Sequence, residues 1–144
     1  MKTLDEIRSL FKARKAPLTH QRLAVFEELA GRADHPSAET LYASLKSDYP
    51  SLSLATVYKT LQTLHDMGVV ARIPSPASQA RYDARTTTHH HASCAPCGKI
   101  VDVFDPRLDG LRAPKVPEFR VAGHSVHFHG TCARCAKAGR SKTN

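Results

Sequence analysis

The sequence predicts an α+β fold in two parts, mainly helical first and sheet-rich second. Residues 4–66 place apolar side chains at helical spacing in four successive segments, and residues 69–83 then switch to two short runs around a Pro/Ser-rich loop. Further on, two Cys-x2-Cys pairs, Cys94/Cys97 and Cys132/Cys135, bracket short alternating segments and use all four cysteines of the chain. Two knuckles of this kind point to a small domain stapled by metal.

In chain order, Leu4, Ile7, Leu10 and Phe11 fall on one helical face, and Pro17 interrupts before Thr19 opens a second helix with Leu23, Val25, Phe26 and Leu29 inward and Gly31 at its end. Ser37 caps a short third helix carrying Leu41, Tyr42 and Leu45, in a segment ended by Pro50. Ser53 caps a fourth, with Leu54, Val57, Leu61 and Leu64 as its buried stripe and Gly68 at the C′ position. Val69–Ile73 and Ala80–Asp83 read as two strands. Helices followed by such a hairpin make an N-terminal winged helix-turn-helix domain, residues 1–83. In that architecture the fourth helix enters the DNA major groove with Ala55, Thr56, Tyr58, Lys59, Gln62 and Thr63 on its exposed face. A merely solvated helix face is the plain alternative.

Residues 84–88 lack apolar periodicity and read as a hinge. Residues 89–144 form the second domain, a small α/β unit: strands at His89–Ser93 and Ile100–Phe104 around the first knuckle, a turn or short helix at Pro106–Arg112 broken by Pro114 and Pro117, a strand through residues 119–130, and a polar, frayed tail from Ala136. About 60 residues bury little core, so this domain gains from a metal staple and from pairing with a copy of itself.

The N-terminus alternates apolar and charged residues and lacks the apolar run of a signal peptide or membrane span, so the expectation is a cytoplasmic protein with no membrane partner. In that reducing compartment the four thiols are metal ligands rather than disulfides. A net charge of +8 favours an anionic partner, nucleic acid first. Residues 1–80 carry a net +2 and residues 81–144 a net +6, so pattern rather than charge places the DNA surface in the first half.

Four thiolates suit a closed, tetrahedral structural Zn²⁺ site, and Gly98 permits the turn that aims backbone N–H groups at sulfur. The histidines and aspartates between Arg81 and Phe104 are a different donor type, suited to Fe²⁺, Mn²⁺ or a second Zn²⁺. His89 and His91 share one face of a strand, and Asp102 on a neighbouring strand can meet them. His90 points the other way and reads as solvated. His20 and His65 read as helix-face residues, and Asp83 could simply pair with Arg81 or Arg85.

Taken together, HPSAETLY (35–42), SLATVYKTLQTL (53–64), RYD (81–83), the HHH-x2-C-x2-CGKIVD stretch (89–102) and the second knuckle resemble the ferric uptake regulator family over nearly the whole chain. The resemblance implies a homodimer that binds a palindromic double-stranded DNA operator. It implies structural zinc on Cys94, Cys97, Cys132 and Cys135, and regulatory Fe²⁺ or Mn²⁺ on His35, Asp83, His89, His91 and Asp102. In some members residues like His90, Asp109 and His124 form a further metal site. HSVHFH (124–129) adds His127 and His129, which have no counterpart in the family pattern, and DPRLDGLRAPKVPEF stands where a longer helix is usual.

Aspartate at both oxygen-ligand positions resembles the peroxide-sensing branch, in which bound Fe²⁺ reacts with H2O2 and a ligand histidine, here His35 or His89, is oxidised. The rival on the same scaffold is an iron-responsive, or manganese- or zinc-responsive, repressor of metal uptake. Two other classes stand further off. One is a metal-dependent hydrolase or oxygenase using a facial triad, which lacks a general base and an evident substrate pocket. The other is a zinc-ribbon adaptor indifferent to Tyr58 and Lys59. A protein altered by its own signal is not an enzyme.

Overall fold

Side-chain capping sets the helices of the first unit. The computed structural model describes residues 2–75 and 79–140, apart from the Arg140 side chain, and divides into two units, Met1–Thr87 and Thr88–Asn144. In the first unit, Thr3 and Glu6 close a reciprocal capping box at the start of α1 (Leu4–Ala13). Thr19, Ser37 and Ser53 each accept a backbone N–H three residues on, opening α2 (His20–Ala30), α3 (Ala38–Leu45) and α4 (Leu54–Asp66). Beyond α4, Gly68 at φ +67° lets the chain reverse, and N–H groups of Gly68 and Val69 return to the carbonyls of His65 and Leu64. That double closure satisfies the helix end and leads Val69 into the core.

Ile7, Phe11, Val25, Leu29, Leu41, Leu52, Val57, Leu61, Leu64 and Val69 are buried in one cluster. The expected inward stripes hold, with Leu10, Leu23, Tyr42 and Leu54 only half-buried and Leu4 exposed, while Ala24 and Thr60 also face inward. Thr60 satisfies its hydroxyl on the Thr56 carbonyl. Leu61→Ala, which empties a fully buried site, is expected to cost about 2–5 kcal/mol, read as a lowered thermal unfolding midpoint of the first unit.

The hairpin strands β1 (Ala71–Ile73) and β2 (Arg81–Asp83) pair antiparallel, Ala71 opposite Asp83. Both are shorter than expected: Val69 and Val70 are taken up by the helix-ending turn and the core. Of the loop between them, residues 76–78 lie outside the described residues. Ala84, expected in the hinge, is buried in the first unit's core.

In the second unit, β3 (His90–Cys94) lies between β4 (Ile100–Val103), antiparallel to it, and β5 (His127–Gly130), parallel to it. Register and alternation put His91, Ser93, Ile100, Asp102, His127 and His129 on one face, and His90, Ala92, Val101, Val103 and Phe128 on the other. The strand expected across residues 119–130 forms only in its last four. Its apolar positions, Val121 and then Val126 and Phe128, change phase across Gly123, so one strand could not bury them together. Phe128 is exposed.

Between the sheet strands, α5 (Pro106–Asp109) is a single turn capped by Asp105 and ended at Gly110. Contrary to the expected fraying, residues 136–140 belong to α6 (Ala133–Arg140), which begins at the second knuckle; residues 141–144 lie outside the described residues. Among the described residues of this unit, the only buried residues of apolar type are Cys94 and Ile100, whereas Val101, Phe104, Leu111, Val116, Phe119 and Phe128 are exposed.

Candidate metal centres and candidate DNA-facing helix

All four cysteines meet. Each offers a sulfur within 4.8 Å of the other three, and Cys97 Sγ lies 3.8 Å from Cys132 Sγ. Sulfurs at about 2.3 Å from a tetrahedral Zn²⁺ stand about 3.8 Å apart, so the spacing fits that ion. Gly98 takes φ +68°, the left-handed turn its missing Cβ allows, and the Cys132 N–H donates to Cys94 Sγ at 3.2 Å.

The Lys99 N–H, followed by the neighbouring thiols, pulls Cys97 down to about 6. The hydrogen bonds of Cys135 with Cys97 and then Cys132 push it up to about 12. Cys135 thus resists ionising beside its neighbouring sulfurs, and a divalent cation would remove that resistance. This is a structural zinc site, and it fits its metal.

His35, in the first unit, precedes Pro36 and adopts φ +51°, a left-handed conformation uncommon outside glycine although histidine is among the residues that tolerate it. It is buried rather than a surface turn residue. Arg81 Nη1 donates to its carbonyl at 3.3 Å, and the Tyr82 N–H donates to Pro36 O at 3.1 Å, tying this corner to β2. On β2, Asp83 is buried as well, its Oδ2 3.8 Å from His35 Nε2, while its Oδ1 accepts the Arg85 N–H at 2.7 Å. The backbone strain therefore serves to face an imidazole toward a carboxylate.

In the second unit, His89 and His91 approach Nε2 to Nε2 at 3.1 Å. Asp102, opposite His91 in register, places Oδ1 3.7 Å from His89 Nε2 and 3.9 Å from His91 Nε2. Two imidazole nitrogens and one carboxylate oxygen converge, a mixed donor set that suits Fe²⁺ or Mn²⁺.

His90 corrects the expectation of solvation, since it is fully buried. Alternation gave its face correctly, but the loop from α5 to β5 covers that face. The Val126 N–H donates to His90 Nδ1 at 3.2 Å, so the ring proton sits on Nε2, which donates to Asp109 Oδ1 at 3.1 Å. His124 stacks on His90 at 5.9 Å and donates from Nε2 to Leu108 O at 2.7 Å. The three residues are neighbours, but both ring nitrogens of His90 are engaged in tying β3 to its flanking loops, and His124 Nε2 is spent on Leu108.

The exposed face of α4 carries the expected side chains, several of them already engaged. Thr56 Oγ1 shares a proton with Ser53 at 2.8 Å, Gln62 Nε2 donates to Asp66 at 2.8 Å, and Thr63 donates to the Lys59 carbonyl at 2.7 Å. The half-exposed Tyr58 donates its hydroxyl to Glu39 of α3, which holds that carboxyl below its usual range. Ala55 and Lys59 are exposed. Glu39 escaped the sequence reading because nothing local links it to a tyrosine 19 positions on.

Comparison with known proteins places these features in context. The model described as the ferric uptake regulator family matches residues 14–129. The peroxide-responsive repressor PerR of Staphylococcus saprophyticus is 38% identical over 120 residues, 82% of this chain and 81% of that one. The solved Campylobacter jejuni peroxide stress regulator is 31% identical with a TM-score of 0.65, covering 94% of this chain and 100% of that one. The Helicobacter pylori ferric uptake regulator reaches a TM-score of 0.78 over 92% of this chain and 91% of that one at 22% identity, a likeness of fold alone.

Proposed function

Because the chain belongs to the ferric uptake regulator family, we propose that it is a metal-dependent DNA-binding repressor, acting as a homodimer on a palindromic operator, whose regulatory metal reports hydrogen peroxide. The reading is carried by the donor set: His89, His91 and Asp102 converge in one unit, and His35 faces Asp83 in the other. Aspartate as the oxygen donor, in a chain similar to a peroxide-responsive repressor, favours the peroxide branch.

In this reading both donor groups hold one ion, and its binding energy is available only in the arrangement of the units that lets them share it. A ligand biases a two-state equilibrium in this way. Fe²⁺ held there would promote transfer of one oxygen from H2O2 to a ligand imidazole, the other oxygen leaving as water, whereas Mn²⁺ would support DNA binding without that chemistry. The imidazole oxidised is that of His35 or His89, and a damaged imidazole is a poorer donor, so the DNA-binding arrangement is lost. Each protein is altered by the event it reports and does not turn over, so it is a sensor rather than an enzyme.

The exposed apolar side chains of the second unit, set against its two buried ones, support a partner copy over that surface. No helix among the described residues is long and apolar enough to cross a membrane. Cytoplasmic conditions keep the four thiols available to zinc.

The test is fluorescence anisotropy of a palindromic duplex with zinc-loaded protein while Mn²⁺ is titrated. Retention should require Mn²⁺, and His91→Ala should raise the Mn²⁺ needed by at least about tenfold. Retention that ignores both would overturn the proposal. In the same assay, Lys59→Ala should weaken binding evenly across operator variants and reduce the salt slope by about 1, as loss of one phosphate contact does.

A further inference from the structure

The sheet face that carries His91 and Asp102 continues across β3 to two histidines outside the regulatory set. His127 stands opposite His91 in register, and His129 opposite Ser93. The two rings stack at 4.7 Å between centroids with 22° between their planes, and the His127 ring lies 6.2 Å from that of His91. From this arrangement we infer that His127 and His129 form an accessory site for a borderline divalent cation such as Zn²⁺, Ni²⁺ or Co²⁺, one strand away from the regulatory donors.

Two features of the hydrogen bonding prepare the pair for metal. Ser93 Oγ lies 3.4 Å from the Phe128 carbonyl and 3.0 Å from His129 Nδ1. With the serine proton on that carbonyl, His129 donates from Nδ1 and keeps its lone pair on Nε2 for a metal. A hydroxyl or carbonyl behind a metal-binding histidine performs the same task, fixing tautomer and ring orientation together. The second feature is His127 Nε2, which is withdrawn from solvent yet has no hydrogen-bond partner. A nitrogen so placed costs free energy that a metal bond would repay.

Ring centroids 4.7 Å apart put the two imidazoles within the span that one ion with bonds of about 2.0–2.1 Å can bridge. Two imidazoles leave the remaining positions to water, so the site binds more weakly than the regulatory set and exchanges its ion more readily. His-x-His on a strand is sufficient to place both donors on one face, because alternate residues share it.

The test uses full-length protein with zinc on the four cysteines, titrated with Co²⁺ and followed by the visible absorption of the bound ion. The wild type should take up a tight and a weaker equivalent per protomer. His127→Gln/His129→Gln should lose the weaker one alone, and His91→Ala/Asp102→Ala the tight one. Ser93→Ala, which frees the tautomer, should weaken the second equivalent about tenfold while leaving the first in place. Equal uptake and equal affinities in wild type and the His127/His129 double variant would overturn the inference, whatever becomes of the tight equivalent. Circular dichroism matching the wild type identifies variants that fold.

Discussion

Zinc-loaded dimer charged anaerobically with Fe²⁺ and given a few equivalents of H2O2 is expected to gain about 16 Da, one oxygen, on the peptides containing His35 or His89. The same protein charged with Mn²⁺ should gain nothing. Affinity for the operator should fall at least about tenfold in the Fe²⁺ sample alone, in proportion to the oxidised fraction. Both histidines are nearly shielded from solvent, so diffusing oxidant in bulk water would strike exposed residues first. Selective modification of these two is therefore a signature of chemistry started at the metal. Peptides that keep their mass, with DNA binding that follows Fe²⁺ concentration, would instead make the protein an iron-responsive repressor on the same scaffold.

The second large effect concerns zinc. Cys97→Ser or Cys132→Ser should abolish retention of zinc through gel filtration and unfold the second unit, because structural zinc contributes on the order of 10 kcal/mol to small domains of this kind. That unit has two buried residues of apolar type among those described, and no core of that size offsets such a loss. The first unit has its own cluster around Leu41, Val57 and Leu61 and should still unfold cooperatively. Calorimetry of the variant should thus show one transition surviving. Two unchanged transitions with zinc absent would mean that the metal plays no structural part.

What could be read from the sequence was what local chemistry decides. Thr19, Ser37, Ser53 and Gly68 act on backbone groups within a few residues of themselves, so the helix limits in the first unit were legible. The two cysteine knuckles were legible for the same reason. Strand ends were not, since β1, β2 and β5 stop where their partners stop. The burial of His90 depends on Val126 and Asp109, the first of them 36 positions away. Alternation tells which side of a strand a residue takes, but not whether anything covers that side. The contact of His129 with Ser93, likewise 36 residues distant, was equally hidden.

The parallel pairing of β3 with β5 also orders events during synthesis. Cys94 and Cys97 leave the ribosome long before His127–Gly130 and Cys132 exist, so neither the central strand nor the zinc site can close until those later residues have emerged. The first unit, whose core cluster ends at Ala84, can fold in the meantime. A nascent chain can therefore hold a folded first unit beside an open pair of thiols, and the four-sulfur site closes only once the second pair has emerged.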